Sequence, residues 1–339
     1  MKTKNLISYL KNNFFSILLI LLFSFLYQCQ KNDYITISGF TQGTTFKIKY
    51  LPEIDTIPIK VIYSELNKID SIFSLFQPNS IINRINNNDT SVKLCNYFLE
   101  AFKIAKKIYY LTDGYYDPTV TPILENFNFI PKHNLITNPK TYDSLKEFIG
   151  FDKVKIINNK ILKPKNVKLD FNGIIQGYTV DRLAFLLESY GIRNYIIEIG
   201  GEIKMKGLNE KKEKWKIGIE KPTEKSNIFN REIIDVLELT NCAVSTSGTY
   251  RQYIEKDGKK LSHIINPYSA SCVYSEFLSA TIITSSCAEA DGIATALIAM
   301  GIYRAKNFLY ENPKYKGYLI YFDDYGRLKT WKSFKYLNL

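Results

Sequence analysis

The stretch Ala288-Glu289-Ala290-Asp291-Gly292-Ile293-Ala294-Thr295-Ala296-Leu297 carries apolar residues at the spacing of a helix. Asp291 and Thr295 are four residues apart, so the carboxylate and the hydroxyl should lie on one helix face. Magnesium prefers oxygen ligands and keeps positions open for water or for the phosphates of a substrate. The pair therefore predicts half of a magnesium site that binds a diphosphate, although such pairs more often cap or solvate a helix.

The segments around this helix predict an α+β fold with mixed sheets and packed helices. Strand patterns cover residues 45–51, 194–199, 202–206, 215–220, 233–239, 279–284 and 318–321, and one more strand ends near Asp170. Helical spacing covers residues 58–73, 92–111 and 178–190. No Gly-x-Gly-x-x-Gly motif follows the first strand, which argues against a Rossmann fold.

The amino terminus predicts an export signal. Three lysines precede an apolar run over residues 14–26, which is as long as a secretory hydrophobic region and too short to span a bilayer comfortably. Cys29 follows in a sequence that resembles a bacterial lipoprotein cleavage box. We therefore expect residues 1–29 to be a lipoprotein signal peptide, Cys29 to carry the lipid, and the protein to lie at the periplasmic face of a membrane. An uncleaved anchor would place it in the same compartment.

The charge and the metal-binding residue types restrict the possible functions. The net charge is +12, but the lysines are scattered and no basic helix concentrates them, so we predict no nucleic-acid partner. His133 and His263 are the two histidines, and the four cysteines after Cys29 form no Cys-x-x-Cys pair. A site of several histidines is thereby excluded, and any bound divalent cation should have oxygen ligands.

Six other segments join the Asp291 helix in carrying short runs of Gly, Asp, Asn, Ser and Thr. They are Gly43-Thr44-Thr45, Thr112-Asp113-Gly114-Tyr115-Tyr116-Asp117-Pro118-Thr119-Val120, Asp170-Phe171-Asn172-Gly173-Ile174-Ile175-Gln176-Gly177-Tyr178, Gly200-Gly201-Glu202, Ser245-Thr246-Ser247-Gly248 and Ser262-His263-Ile264-Ile265-Asn266-Pro267. In this order the segments resemble the ApbE family of FAD:protein FMN transferases over residues 35 to 310. The resemblance implies an ApbE-like domain over residues 33–335, with an FAD cleft between the sheet-bearing halves of the fold.

The resemblance also implies a reaction. FAD would be the substrate, and its FMN half would pass, with magnesium, to a Thr or Ser hydroxyl of another exported protein, with release of AMP. Typical acceptors of the family are subunits of membrane redox complexes and other exported flavoproteins. The chemistry agrees, because breaking a pyrophosphate needs a cation that neutralises the phosphates and a base that takes the proton of the attacking hydroxyl.

The family motifs also imply roles for single residues. The magnesium ligands would be the side chains of Asp291 and Thr295 and the backbone carbonyl of Gly173, in a loop after the Asp170 strand. His263 would be the catalytic base, since an imidazole can accept a proton near neutral pH. From sequence alone, a histidine that is hydrogen-bonded at a strand-to-turn junction is the commoner case. The implied FAD contacts are Gln42, Phe76, Tyr115, Tyr116, Asp117, Asp170, Gln176 and Ile264.

Two departures from the family pattern concern FAD binding. Phe76 stands where transferases of the family commonly have Tyr, and Ser80-Ile81 replaces the usual Ser-Glu pair. Phenylalanine keeps the stacking surface and removes one hydrogen bond. Two alternatives to transfer stay open, namely an FAD pyrophosphatase that passes FMN to water and a flavin-binding lipoprotein without chemistry. The set of Asp291, Thr295 and His263 favours an enzyme, because binding alone needs no base.

Overall fold

The computed structural model describes residues 33–53, 56–127, 129–130, 145–222, 232–250, 253–256, 259–273 and 276–335. The predicted signal peptide with Cys29 lies outside these residues, and so does His133. Within the described ranges, no helix combines the length and the apolar character that crossing a membrane requires.

One antiparallel sheet of eight strands forms the centre of the described fold. In chain order its strands are β1 (Ile35–Thr41), β2 (Thr44–Tyr50), β3 (Tyr195–Ile199), β4 (Glu202–Lys206), β5 (Cys242–Gly248), β6 (Phe277–Thr284), β7 (Lys316–Phe322) and β8 (Leu328–Lys332). Each strand pairs antiparallel with the next one along the chain, so the spatial order equals the chain order. Consequently β1 and β8 are the edges, and β4 and β5 meet in the middle.

Four two-stranded hairpins accompany the large sheet in the described part of the chain. They pair Lys155–Ile157 with Lys160–Leu162, Trp215–Glu220 with Ile233–Leu239, Tyr253–Lys256 with Lys259–Ser262, and Ile265–Asn266 with Ser271–Cys272. The second hairpin has the predicted bounds. In its first strand, alternate residues are buried and exposed, which is the period-two pattern that the sequence shows.

The described residues also form seven α-helices and one turn of 3-10 helix, Phe151–Lys153. The helices are α1 (Ile59–Phe73), α2 (Ile81–Asn86), α3 (Asn96–Leu111), α4 (Thr121–Asn126), α5 (Asn172–Ser189), α6 (Cys287–Met300) and α7 (Ile302–Glu311). Together with the antiparallel sheet they make an α+β fold, which confirms the predicted fold class.

Helix α6 lies inside the core, between α5 and α3 on one side and strands β5 and β6 on the other. Its alanines are buried, and small side chains allow this close packing. A Cβ on Gly292 would lie 2.7 Å from Cδ1 of Ile108 on α3. The helix begins with a side-chain cap, because Ser286 Oγ accepts the Glu289 N–H at 3.3 Å. The small side chains of α6 therefore allow the helix to lie in the centre of the fold.

Helix α5 begins at Asn172, six residues before its predicted start, and within residues 163–171 the structure contains no strand. The predicted strand ending near Asp170 is therefore wrong. This buried segment pairs with a side chain instead of a neighbouring strand, because Asn86 Nδ2 donates to the Leu169 carbonyl and Asn86 Oδ1 accepts the Leu169 N–H, both at 2.8 Å. Gly173 consequently lies in the first turn of α5 and not in a loop.

Gly177 allows α5 to approach the start of α6. A Cβ at this position would lie 2.4 Å from the carbonyl oxygen of Cys287 and 2.9 Å from the Cα of Ala288. Both neighbours are backbone atoms, so a side chain at residue 177 cannot be accommodated by a rotamer change. The glycine that suggested a loop in the sequence is needed for contact between two helices.

We expect Gly177→Ala to lower the free energy of unfolding by roughly 1–3 kcal/mol, because the added methyl group must push two backbones apart. The intrinsic gain of replacing a helical glycine by alanine, about 0.5–1 kcal/mol, is smaller. Urea unfolding of the metal-free protein measures the change. Gly173→Ala is the matched control on the same helix, since its nearest neighbour is a ring atom of Tyr116 at 3.0 Å. Equal losses in the two variants would contradict the role of the backbone contact.

Candidate active site

Asp291 and Thr295 lie on the face of α6 that meets the first turns of α5. Asp291 Oδ2 accepts the backbone N–H of Gly177 at 3.1 Å. Thr295 Oγ1 lies 3.8 Å from the position of a Cβ on Gly173. Gly177 is one helical turn after Gly173, so this bond brings the Asp291 carboxylate to the first turn of α5. The structure thus brings the three predicted magnesium ligands to one place, the contact between α5 and α6.

The environment of Asp291 is acidic and buried. Burial raises the pKa of its carboxyl well above the usual value, and the nearby Glu202 carboxylate raises it further. The Gly177 N–H acts in the opposite direction. Glu202, on β4, is buried as well and accepts a hydrogen bond from Ser245 Oγ at 3.3 Å. Two acidic groups buried near each other favour a bound cation, because the cation compensates their charge.

Strand β5 adds hydroxyl groups to the site. Ser247 Oγ lies 3.0 Å from Thr295 Oγ1. Sequence reasoning assigned no role to Ser247 or to Glu202, although both belong to the family motifs. Their position beside the predicted metal ligands depends on β4 and β5 being neighbours next to α6, and residue spacing carries no such information. Only their presence in the family motifs could have identified both residues as part of the site from the sequence.

The side chain of Tyr116 also lies next to Gly173. Its ring Cε2 lies 3.0 Å from the Cβ position of Gly173, and only 4% of the residue is exposed. Its hydroxyl has no hydrogen-bond partner among the described residues. Burial raises the pKa of this phenol well above its usual value, and three carboxylates, led by that of Asp291, raise it further. The phenol therefore stays protonated and can donate a hydrogen bond to a ligand.

We expect Tyr116→Phe to stabilise the ligand-free protein by roughly 1–3 kcal/mol, because it removes a buried hydroxyl without a partner. The same change should reduce the rise in melting temperature that FAD with magnesium produces. Differential scanning fluorimetry with and without ligand measures both effects. Tyr195→Phe is the control, since Tyr195 is equally buried, its hydroxyl donates to Glu188 at 2.6 Å, and it is not a predicted FAD contact. A ligand-induced shift equal to that of the unmodified protein would argue against the hydroxyl as a ligand contact.

Asp117 and Asp170 are buried and hold backbone turns. Asp117 Oδ1 accepts the Thr119 N–H at 2.8 Å and the Thr119 hydroxyl at 2.5 Å. Asp170 Oδ1 accepts the Asn172 N–H at 2.7 Å, at the start of α5. Burial raises the pKa of each carboxyl to about 6. Both residues thus shape the segments on which Tyr116 and Gly173 lie, and their predicted contacts with FAD stay predictions.

Gln42 lies in the turn between β1 and β2, and Gln176 lies on α5 itself. Gln42 Nε2 donates to Thr179 Oγ1 at 2.8 Å. Its hydrogen bond to Asp70 also lowers the pKa of that carboxyl, although burial has the larger effect and raises it. Gln176 Oε1 lies 3.1 Å from the Cβ position of Gly200, in the turn between β3 and β4. Two turns of the sheet therefore reach the helix that carries Gly173.

The remaining predicted FAD contacts differ in accessibility. Phe76 is 68% exposed, so its ring is open to stacking. The ring of Tyr115 packs against that of Tyr268, with centroids 4.9 Å apart. Ile264 is buried, its N–H donates to Ser262 Oγ at 3.1 Å, and its carbonyl accepts the Val273 N–H at 2.8 Å. Of these side chains, that of Phe76 is best placed to meet a ligand.

His263 is half-buried and lies at a strand-to-turn junction, between Lys259–Ser262 and Ile265–Asn266. Its ring centroid lies 6.3 Å from that of Phe129, in an edge-to-face arrangement. The next residue, Ile264, belongs to the same hydrophobic core as Tyr116, Ile174 and Ile293. The segments that carry His263, Tyr116, Gly173 and Asp291 are therefore supported by one core. The role of His263 as a base stays a prediction.

A cavity of about 390 Å³ lies elsewhere, between the loop over residues 88–92 and the hairpin of Lys155–Ile157 and Lys160–Leu162. None of the predicted site residues lines it. It is separate from the contact between α5 and α6, and the predicted FAD cleft does not coincide with it.

Curated relatives of this chain are transferases, so the protein is an enzyme of that class. The FAD:protein FMN transferase of Vibrio cholerae serotype O1 is 32% identical over 283 residues, which are 80% of this chain and 84% of that protein. The protein of the same description from Escherichia coli K12 is 29% identical over 316 residues, 88% of this chain and 86% of that one.

The chain belongs to the ApbE family, whose model matches residues 42–319. Solved structures agree with this. The flavin transferase ApbE from Vibrio cholerae aligns with a TM-score of 0.77 at 29% identity, and the alignment covers 88% of this chain and 97% of that one. The apo form of the flavinyl transferase ApbE from Pseudomonas stutzeri aligns with a TM-score of 0.76 at 25% identity, over 88% and 94% of the two chains. The family predicted from the motifs is confirmed.

Proposed function

We propose that this protein transfers the FMN half of FAD to a Thr or Ser hydroxyl of an exported acceptor protein, with release of AMP and a requirement for magnesium. The names of its relatives support flavin transfer from FAD to a protein. The single observation that carries the site assignment is the hydrogen bond between Asp291 and the Gly177 N–H. It places a buried carboxylate against the turn of α5 that begins with Gly173.

The residues at this contact fit a magnesium ion. The side chains of Asp291 and Thr295 and the carbonyl of Gly173 would hold it, and all three donors are oxygen atoms, which magnesium prefers. Within the described residues no three His, Cys, Asp or Glu side chains group as a metal site, and the proposed set consists of one carboxylate, one hydroxyl and one carbonyl. When bound, the cation neutralises negative charge on the pyrophosphate.

The reaction needs a group that takes a proton, and His263 is the proposed base. The acceptor oxygen forms a bond to the phosphorus of the FMN half. The bond from that phosphorus to the bridging oxygen breaks, and AMP leaves with the bridging oxygen. The proton of the acceptor hydroxyl passes to His263. Phe76 would stack on a ring of FAD, and Tyr116 would donate a hydrogen bond to it.

One experiment separates the three possible activities. The purified protein is incubated with FAD and magnesium, with and without a purified candidate acceptor from the exported flavoproteins. Fluorescence of the acceptor on a denaturing gel, together with AMP, supports transfer. Free FMN and AMP without labelled acceptor support a pyrophosphatase. FAD that stays intact while bound to the protein supports storage without chemistry.

We also propose that the protein is a lipoprotein, anchored by Cys29 at the periplasmic face of a membrane. The support is the sequence alone, namely the apolar run over residues 14–26 and the cleavage box at Cys29. Cys29→Ser should abolish incorporation of a labelled fatty acid and leave the protein uncleaved. Labelling of the variant at the level of the unmodified protein would exclude this attachment site.

A further inference from the structure

Strand β1 is an edge of the sheet in the described part of the chain, and its sequence lacks the usual protection of an edge. It pairs with β2 through all seven of its residues, with no irregularity in the register. Its sequence, Ile-Thr-Ile-Ser-Gly-Phe-Thr, contains neither a charged residue nor a proline. Proteins commonly protect an edge with charges, prolines or bulges, because an open edge binds other strands. The opposite edge, β8, carries Lys329 and Lys332. The two edges of the sheet therefore differ in charge, and only β8 carries charged residues.

The register shows which backbone groups of β1 face the open side. A two-residue turn, Gln42-Gly43, joins Thr41 to Thr44, and both turn residues have positive φ, 50° and 73°. Thr41 and Thr44 then form the closing hydrogen-bonded pair, and hydrogen-bonded and open positions alternate from there. The N–H and C=O groups of Thr36, Ser38 and Phe40 consequently point away from β2. The Thr45 carbonyl, which points away from β1, accepts the Gly200 N–H at 3.2 Å, in agreement with this alternation.

The open edge ends beside the candidate active site. Residues 42–43 follow β1 directly, and the Gln42 side chain is bound to Thr179 on α5. Thr179 is six residues from Gly173, which is about 9 Å along the helix. Phe40, the last residue with outward backbone groups, is 72% exposed. A polypeptide that follows β1 toward its carboxyl end therefore reaches α5 within a few residues.

We propose that the acceptor protein binds as an added strand on β1, through the backbone groups of Thr36, Ser38 and Phe40, and that this pairing leads its hydroxyl residue to the active site. Addition of an extended segment to a sheet edge is an established mode of peptide recognition. The inference depends on the proposed function, because only a transferase with a protein acceptor needs such a surface. It assigns the part of the enzyme that recognises the polypeptide, as distinct from the part that binds FAD.

The neighbouring charges indicate the chemistry of the acceptor segment. Lys47 lies opposite Ser38, and Lys49 lies opposite Thr36, on the solvent-exposed face of the hairpin. Lys49 forms an ion pair with Glu210 at 2.6 Å, whereas Lys47 forms no ion pair among the described residues, although Glu198 lies opposite it on β3. An added strand would lie about 10 Å from β2, and a glutamate in it can reach Lys47 across the small Ser38 side chain. The acceptor segment should therefore be extended, carry a Ser or Thr, and have acidic residues near it.

Ser38→Pro in the full chain tests the proposal. Proline removes the N–H that an added strand needs, and an edge strand tolerates it where that N–H faces solvent. Ser38→Ala is the matched control, because it removes the hydroxyl and keeps the N–H. With the acceptor labelled in the gel assay, Ser38→Pro should lower kcat/KM for the acceptor by about tenfold, the loss expected for one or two hydrogen bonds. FAD binding, followed by flavin fluorescence, and the melting temperature should stay unchanged, and Ser38→Ala should behave like the unmodified protein.

A second reagent makes the test independent of the variant. A synthetic acceptor peptide with N-methyl groups on alternate amides is compared with its isomer, in which the other set of amides is methylated. One isomer should bind and accept FMN, and the other should not, because only one set of amides faces β1.

Equal rates for both isomers, or unchanged transfer in Ser38→Pro, would overturn the inference while leaving the proposed function intact. The same holds if Ser38→Pro changes only self-association in sedimentation, since the edge would then pair with a second copy. An unmodified protein that labels no acceptor would instead overturn the proposed function.

Discussion

Asp291→Asn is expected to reduce FMN transfer by roughly a thousandfold or more, because it would remove the charged ligand of the proposed magnesium ion, which would lower the barrier by several kcal/mol. The same substitution should make the metal-free protein more stable. Asparagine keeps the shape of the side chain and can still accept the Gly177 N–H. It also removes a carboxyl whose folded-state pKa is raised by burial and by Glu202.

The sign of the pH dependence follows from that raised pKa. A carboxyl with a higher pKa in the folded state than in the unfolded state holds its proton more tightly in the folded protein. The folded protein therefore loses stability as the pH rises from the unfolded pKa to the folded one. Asp291→Asn should raise the melting temperature at neutral and alkaline pH, and the gain should vanish in acid. Thermal unfolding of the metal-free protein across this pH range measures it.

Two controls separate a lost ligand from a lost fold. Thr295→Ser keeps a hydroxyl next to Ser247 and should retain most of the activity, whereas Thr295→Val keeps the shape without the hydroxyl and should lose it. Magnesium should raise the melting temperature of the unmodified protein in the presence of FAD and fail to do so for Asp291→Asn. Undiminished release of AMP by purified Asp291→Asn would refute the assignment of this carboxylate.

His263→Ala is expected to lower both FMN transfer and AMP release by about 10²–10⁴-fold, the usual contribution of a general base. FAD binding should change little, because the imidazole is assigned to the proton of the acceptor and not to the nucleotide. Release of AMP and the quenching of flavin fluorescence measure the two quantities. His133→Ala is the matched control, since it removes the other histidine of the chain, which matches no motif.

Rescue provides a more direct test of the chemistry. Imidazole added to the solution should restore part of the activity of His263→Ala, because a small base can occupy the space left by the side chain. A purified His263→Ala protein that releases AMP at the rate of the unmodified protein would show that another group takes the proton. Loss of FAD binding in this variant would show that the residue belongs to the nucleotide site instead.

Several features of the fold were predictable because they depend on local patterns. Strands with full alternation, such as Trp215–Glu220, agree with the sequence in both bounds. The four-residue spacing of Asp291 and Thr295 placed both side chains at one contact, since that spacing is the repeat of a helix. The order of the motifs identified the family. These inferences needed no knowledge of which elements are neighbours.

Other features depend on contacts between distant segments and were missed for that reason. Gly173 and Gly177 suggested a loop, whereas α6 requires a glycine at residue 177 because of the Cys287 carbonyl. The segment before Asp170 had the composition of a strand, but Leu169 is bonded to the side chain of Asn86 and Asp170 to the Pro118 carbonyl, not to a neighbouring strand. Ser247 became part of the site only through its distance to Thr295. None of these relations is encoded in residue spacing.

The sequential order of the sheet has a consequence for when the enzyme becomes active. Strands β1 to β4 come from the first part of the chain and β5 to β8 from the last part, and the candidate ligands are divided in the same way, with Gly173 before β3 and Asp291 after β6. A nascent chain cannot complete the site until residue 291 has left the ribosome and α6 has docked. If the chain is exported unfolded, as we propose from its amino terminus, it stays catalytically silent before export, and the cell's own flavin coenzymes and proteins are spared.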